Sequence, residues 1–267
     1  MAQRATLTSP RVARPPSSGA AALAADLASR LDPVSLARRV GIGPDPWQGE
    51  VLRSTAPRIL LNCCRQSGKS TAAGLLGLHR AVYSPGSTTL LVSPGQRQSS
   101  ELFRKVLAAY RRLGRPVPSE AENAMSLALE NNSRVISLPG NESTIRTYTC
   151  DLLVIDEASR VSDDLYAAVR PMLAVSGGRL LALSTPHGVS GWWAEAWHSS
   201  DPWERYEVPA DQCPRISRSF LAEERLALGE WKFEQEYFCK FLEDAWQIFS
   251  NEAIAGIFSD DFQEVEL

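Results

Sequence analysis

The sequence predicts an α/β domain built on a mostly parallel central sheet flanked by helices. Three observations carry that expectation. Short apolar runs of strand length alternate with longer helical stretches; one run opens into a Gly-Lys-Ser loop and a helix; another, 152–155, ends on two adjacent carboxylates, Asp156 and Glu157. With 267 residues, 44% hydrophobic and 22% charged, the chain has the makeup of a globular protein with one large core.

Residues 1–20 hold Arg4, Arg11 and Arg14, no acidic residue and a Pro-Pro-Ser-Ser-Gly run, the composition of a disordered tail. A basic, acid-free start also suits an organellar transit peptide, but it lacks an amphipathic helix. Residues 21–44 are read as a helical segment, with Leu23, Leu27 and Leu31 four apart. The main domain is placed at 45–245. Buried-type strands are expected at 58–62, 88–93, 152–155 and 179–183, each followed by a loop and a helical stretch, so that the loops share the carboxyl edge of the sheet. The runs 126–129, 134–138 and 144–146, divided by Asn131-Asn132 and Pro139-Gly140, are read as hairpin-like strands. Beyond Gly191 come Trp192, Trp193, Trp197 and Trp203, an extended segment at 204–208 and a helical region at 219–238. Residues 246–267 form a C-terminal extension, and Asp260, Asp261, Glu264 and Glu266 are read as its solvated acidic end.

The formal charge of -3 argues against a protein coated in positive charge, so any nucleic-acid contact has to come from a local patch. Arg104, Lys105, Arg111, Arg112 and Arg115 form the one candidate stretch, although such a stretch is more often just a solvated helix face. The five cysteines show no Cys-x-x-Cys spacing and the three histidines are scattered, which argues against zinc. An odd cysteine count without a secretory leader reads as reduced thiols in a cytoplasm. No apolar run is long enough to span a bilayer.

The chemistry concentrates in residues 63–70, Cys-Cys-Arg-Gln-Ser-Gly-Lys-Ser, between a strand and a helix as a phosphate-binding loop requires. Gly68 lets backbone N–H groups approach phosphates, Lys69 reaches the β and γ oxygens, and Ser70 offers a hydroxyl to magnesium at a helix N-terminus. Cys64, Gln66, Ser67 and Thr71 complete the expected nucleotide contacts, while Cys63 stands where the motif has its first glycine. Asp156 is expected to hold magnesium through water or the Ser70 shell, and Glu157 to polarise the attacking water as general base. A strand capped by solvated acids is the alternative. Trp47-Gln48 could set an amide on the edge of adenine, or be a packing tryptophan beside a surface glutamine. Ser184-Thr185-Pro186 could sense the γ-phosphate, or simply end a strand.

In order, Trp47-Gln48, the loop at 64–70, Leu-Val-Ser-Pro at 91–94, Gly-Asn-Glu-Ser-Thr-Ile-Arg at 140–146, Val-Ile-Asp-Glu-Ala at 154–158 and Leu-Ser-Thr-Pro at 183–186 resemble the ATPase domain of tailed-phage large terminases, over residues 45–244. The resemblance implies a RecA-like P-loop NTPase of the ASCE type, with ATP and Mg2+ as cofactors. It implies a motor that moves double-stranded DNA, works with a portal and a small terminase subunit, assembles as a homo-oligomeric ring, and acts in the cytoplasm of an infected or lysogenic bacterial cell, away from any membrane. It further implies that Arg65 acts on the transferring phosphoryl, that Ser184, Thr185 and Pro186 couple hydrolysis to movement, and that Arg146 reaches a neighbouring subunit's ATP. For Arg146 a surface strand arginine is the equal alternative. A complete large terminase also carries a nuclease domain; this sequence stops at Leu267, so nuclease activity is not expected. Two other readings stay open. Asp-Glu-Ala-Ser at 156–159 resembles the Asp-Glu-Ala-Asp box of helicases and remodelling ATPases, and Cys63 with the missing nuclease fits an inactive prophage remnant.

Overall fold

The computed structural model describes residues 18–140 and 148–243. Eight strands form one sheet: β1 (Arg58–Cys63), β2 (Thr88–Ser93), β3 (Ser119–Glu122), β4 (Ser126–Leu129), β5 (Arg134–Pro139), β6 (Leu152–Asp156), β7 (Arg179–Ser184) and β8 (Glu204–Val208), in the order β3-β4-β5-β2-β6-β7-β1-β8. From β5 to β8 all neighbours are parallel; β3, β4 and β5 pair antiparallel and extend one edge. The fold is RecA-like α/β, with β7 inserted between the strand that feeds the glycine loop and the strand that ends in Asp156.

Period-2 alternation builds both layers of the core. Ile59 and Leu61, Leu91, Leu152 and Val154, and Leu181 and Leu183 point to one face. There they meet α3 (Pro46–Arg53), α4 (Lys69–Tyr83) and α5 (Gln96–Arg112). Leu60, Leu90, Val92, Leu153, Ile155, Leu180 and Ala182 point to the other face. It is covered by α6 (Asp163–Val169) and α7 (Gly191–His198). The tryptophan-rich segment belongs to this second layer: Trp192 stacks on Tyr166 with centroids 3.9 Å apart and donates its indole N–H to Val161 O at 2.9 Å. Trp193 and Trp203 are buried beside it.

Several sequence boundaries shift. The N-terminal helix α1 (Ser18–Leu31) opens inside the segment read as a tail, because the Ala-rich run from residue 20 carries its first turn. Leu23, Leu27 and Leu31 are exposed on it, and the side that packs carries Asp26 and Ser29 instead. Tyr83 Oη donates to Asp26 at 2.9 Å, and α2 (Pro33–Arg39) follows at once. The region at 219–238 is two helices, α8 (Arg218–Leu228) and α9 (Glu230–Phe238), broken at Gly229 with φ 75°. The expected strand at 144–146, residues 1–17 and the extension at 246–267 lie outside the described residues. No helix among the described residues is long and apolar enough to cross a membrane.

Candidate active site

The register sets Asn62 of β1 opposite Ser184 of β7, and Leu183 opposite Asp156 of β6, so three strands deliver their functional ends to one carboxyl edge. Cys63 is the last residue of β1 and fully buried; burial pushes its thiol up to about 12, leaving it neutral as a small apolar side chain. A cysteine is therefore compatible with this position, which lies in extended strand and needs no glycine geometry. Cys64 is buried too, and does not reach the cleft. Its N–H donates to Val208 O at 2.9 Å and its sulfur lies 3.7 Å from that of Cys213.

The turn itself is made by Gln66, at φ 60°, and Gly68, at φ 92°. A Cβ on Gly68 would stand 2.6 Å from Gln48 Nε2, a second reason for glycine there. Gln48 is buried, with its Nε2 donating to Gly68 O at 3.2 Å and its Oε1 accepting from Asp45 N at 2.9 Å. The carboxylate of Asp45 takes Arg215 at 2.8 Å, and Arg215 Nη2 donates to Ser67 O at 2.6 Å. Gln48 and Arg215 thus strap the loop from outside, and Trp47 is a buried packing residue.

Lys69, at 8% exposure, donates from Nζ to Thr185 Oγ1 at 3.2 Å, and Thr185 in turn donates to Cys63 O at 3.0 Å. Ser184 Oγ accepts from Ser159 N at 3.1 Å and lies 2.7 Å from Ser159 Oγ, which donates to Thr185 O at 2.8 Å. The Ser-Thr turn therefore joins the loop lysine to the segment just after Glu157. Asp156 is buried beside them. Desolvation first, and then the charge of Glu157, hold its carboxyl above the ordinary carboxylate range; Lys69, the Glu157 N–H at 3.0 Å and the Ser70 hydroxyl act against that shift. Glu157 has φ 53° and ψ 43°, a left-handed conformation that costs a non-glycine residue about 1–2 kcal/mol. The strain turns its carboxylate from the end of β6 into the cleft.

That cleft, about 560 Å3, brings together Arg65, Gln66, Gly68, Lys69, Ser70, Thr71, Glu157, Thr185 and Pro186. Ser70, Asp156 and Glu157 also line an adjoining chamber of about 380 Å3. Arg146 lies outside the described residues. Arg65 faces the cleft but is held by Glu236 of α9, Nε to Oε2 at 2.5 Å and Nη2 to Oε1 at 3.2 Å, and its N–H donates to Glu236 O at 3.0 Å. The buried Glu236 carboxylate and the nearby Glu157 both raise the Arg65 guanidinium above its usual value.

Sequence reasoning missed Glu236, Arg215, Ser159, Gln98 and Arg160. The first two are brought in by tertiary folding alone; Ser159 and Arg160, immediately after Asp-Glu-Ala, carried a positional signal. The basic stretch also divides: Lys105 lines the cleft, Arg104 pairs with Glu101, and Arg111 and Arg115 share Glu122, whose carboxyl they lower to about 2. Three of its five cations are thus held by two carboxylates.

Comparison with known proteins fits this geometry. Residues 60–191 match the family described as RNA cytidine acetyltransferase NAT10/TcmA, helicase domain. Curated large terminase subunits of Thermus phage G20c and Thermus virus P23-45 are each 24% identical over 249 residues, spanning 79% of this chain and 51% of theirs. The chain thus spans about half the length of the curated relatives it matches. The large terminase ATPase domain of Thermus phage P74-26 superposes with a TM-score of 0.69 at 24% identity, covering 77% of this chain and 97% of that one. The large terminase of another thermophilic bacteriophage, in complex with ADP, superposes at 0.59 with 12% identity, covering 74% and 53%. In sequence and in fold the chain is similar to phage large terminase ATPase domains over most of its length.

Proposed function

We propose that this chain is the motor domain of a phage or prophage large terminase, hydrolysing ATP with magnesium to move double-stranded DNA. The observation that carries the reading is the meeting of Lys69, Ser70, Asp156, Glu157 and Thr185 at one sheet edge, on the three adjacent strands β1, β7 and β6. The donor set suits magnesium: a hydroxyl, Ser70, and one desolvated carboxylate, Asp156, leave room for phosphate oxygens and water. When bound, the cation would neutralise charge on the β and γ oxygens.

The chain's own groups supply the rest. Loop amides and the N-terminus of α4 face the phosphates, and Lys69 exchanges its Thr185 hydroxyl for phosphate oxygens. Glu157 accepts a proton from the attacking water, and Arg65 places a positive charge beside the group in flight. Loss of the γ-phosphate returns Lys69 to Thr185, a change that Ser184 and Ser159 carry toward the segment behind Glu157. The ring, the portal, the small subunit, the action of Arg146 from a neighbouring subunit and the bacterial cytoplasm belong to the same reading, supported by the relatives named above.

The test is magnesium-dependent ATP turnover with and without duplex DNA. Turnover stimulated by duplex and lost in Lys69→Ala is expected; no turnover under any condition would leave the inactive remnant in its place. The match to a helicase domain favours one second reading, a strand-separating or remodelling ATPase. ATP-dependent unwinding by the chain alone would reverse the ranking.

A further inference from the structure

The sheet carries a second cavity, of about 580 Å3, at the edge opposite the phosphate loop, where β6 and β7 begin. Arg179 and Arg80 line it together with Leu31, Leu52, Leu76 and Leu152. The other charges in its wall are matched. Arg53 makes two bonds to Asp32 at 3.1 and 2.8 Å, Arg80 reaches Asp151 at 3.5 Å, and Asp151 also accepts from Thr88 N at 2.8 Å. Arg179 differs: its Nε donates to Ala56 O at 3.0 Å, its Nη2 is buried without a partner, and although the charge of Glu204 acts on it, it has no ion pair among the described residues. Arg80 Nε is likewise buried and unpartnered. The wall therefore holds three arginines against two aspartates.

A guanidinium stays charged at any physiological pH, and removing it from water without a counter-ion is costly. Burial, and then the like charge of Arg80, push Arg179 below its ordinary value, with Glu204 acting against that shift. An anion would correct the excess of arginine, and the walls decide which kind. Asp32 and Asp151 repel a multiply charged phosphate, and leucine side chains cannot satisfy its oxygens. They suit a single carboxylate on a hydrocarbon body.

We propose that this cavity binds an apolar monocarboxylate, with its carboxylate on Arg179 and its chain against Leu31, Leu52, Leu76 and Leu152. A free aliphatic acid or an acidic residue beside aliphatic ones in a peptide offers this same chemistry.

The experiment titrates hexanoate, hexanol and inorganic phosphate into the full chain while leucine methyl signals are followed by NMR. Saturable shifts at the four leucines with hexanoate are expected, with hexanol and phosphate at least about tenfold weaker there, the low end of a charge-assisted hydrogen bond. Arg179→Met should weaken hexanoate by the same factor. If that variant does not fold, the comparison of hexanoate with hexanol on the unaltered chain decides alone. Equal affinities for the two, tighter binding of phosphate at these leucines, or no saturable shift would overturn the site. Acetyl-Leu-Glu-Leu-amide distinguishes the sources: competition with hexanoate supports the site with a protein segment as ligand, and hexanoate binding without competition supports it with a small acid.

Discussion

Lys69 and Arg65 face the same cleft from the same loop, yet they are held by different parts of the molecule. Lys69 is buried and bonded to Thr185, which directly follows β7 in the middle of the sheet and is itself tied to Cys63 O. The Arg65 side chain is 58% exposed, and its partner Glu236 sits on α9. That helix is half of a hairpin joined at Gly229: α8 buries none of its residues, α9 sets Phe233 and Tyr237 into the core, and the two helices are bonded through Tyr237 to Glu224 at 2.9 Å and Arg225 to Glu234 at 3.2 Å. The hairpin meets the loop through the Arg65–Glu236 pair and, close by, through Asn62 Nδ2 on Cys239 O at 3.0 Å. Lys69 is therefore anchored from the middle of the sheet. Arg65 is anchored from the C-terminal helical pair instead, so under the proposed function nucleotide binding and turnover draw on different supports.

The largest expected effect tests chemistry while leaving both supports in place. Glu157→Gln removes the base and should lower kcat by about 10²–10⁴-fold with ATP affinity retained, read by steady-state turnover beside nucleotide-binding fluorescence. Retained turnover would reject Glu157 as the base. Next comes the arginine's support. Glu236→Gln breaks the charge pair and should cost about tenfold in kcat with the ATP Kd nearly unchanged, because Lys69 and the loop amides are untouched. An equal loss of affinity would show that the two supports are one. The mirror experiment is Arg215→Ala, which removes the strap on Ser67 O and Asp45. Here the ATP Kd should rise by about fivefold, and kcat at saturating ATP should change less.

The contrast also marks what the sequence could say. Strands in the core announce themselves by uninterrupted apolar runs, and β1, β2, β6 and β7 fall within one residue of the ranges expected from pattern alone. The strand β3, Ser-Glu-Ala-Glu on an edge, buries too little to show any pattern. Lys69, Ser70, Asp156 and Glu157 were legible because a loop before a helix and a strand ending in acids are local signatures. Glu236 and Arg215 were not, since Glu236 stands 171 residues from Arg65 and Arg215 stands 148 from Ser67. Lys105 shows a further limit: helical periodicity places it on α5 but cannot say which neighbour its face will meet. Gln48 was found for its amide, and that amide grips the loop's own carbonyl.

The smallest effect concerns the rigid support itself, and its sign follows from Asp156. Burial raises the folded-state pKa of this carboxyl above its ordinary 3.8, so the folded chain holds that proton more tightly than the unfolded chain does. The resulting stabilisation is complete below 3.8 and is lost as pH rises through the raised value, above which the ionised group burdens the fold. Asp156→Asn is neutral at every pH. Without nucleotide it should melt higher than the unaltered chain once pH exceeds the raised value, by about 2–4 °C for each 1 kcal/mol relieved. That advantage should shrink as pH falls through the raised pKa. Adding ATP and Mg2+ should reverse the order, since only the carboxylate gains a cation. Thermal melts of the two proteins from acid to neutral pH test both halves. An advantage constant across that range would mean that side-chain packing, rather than a desolvated charge, sets the difference.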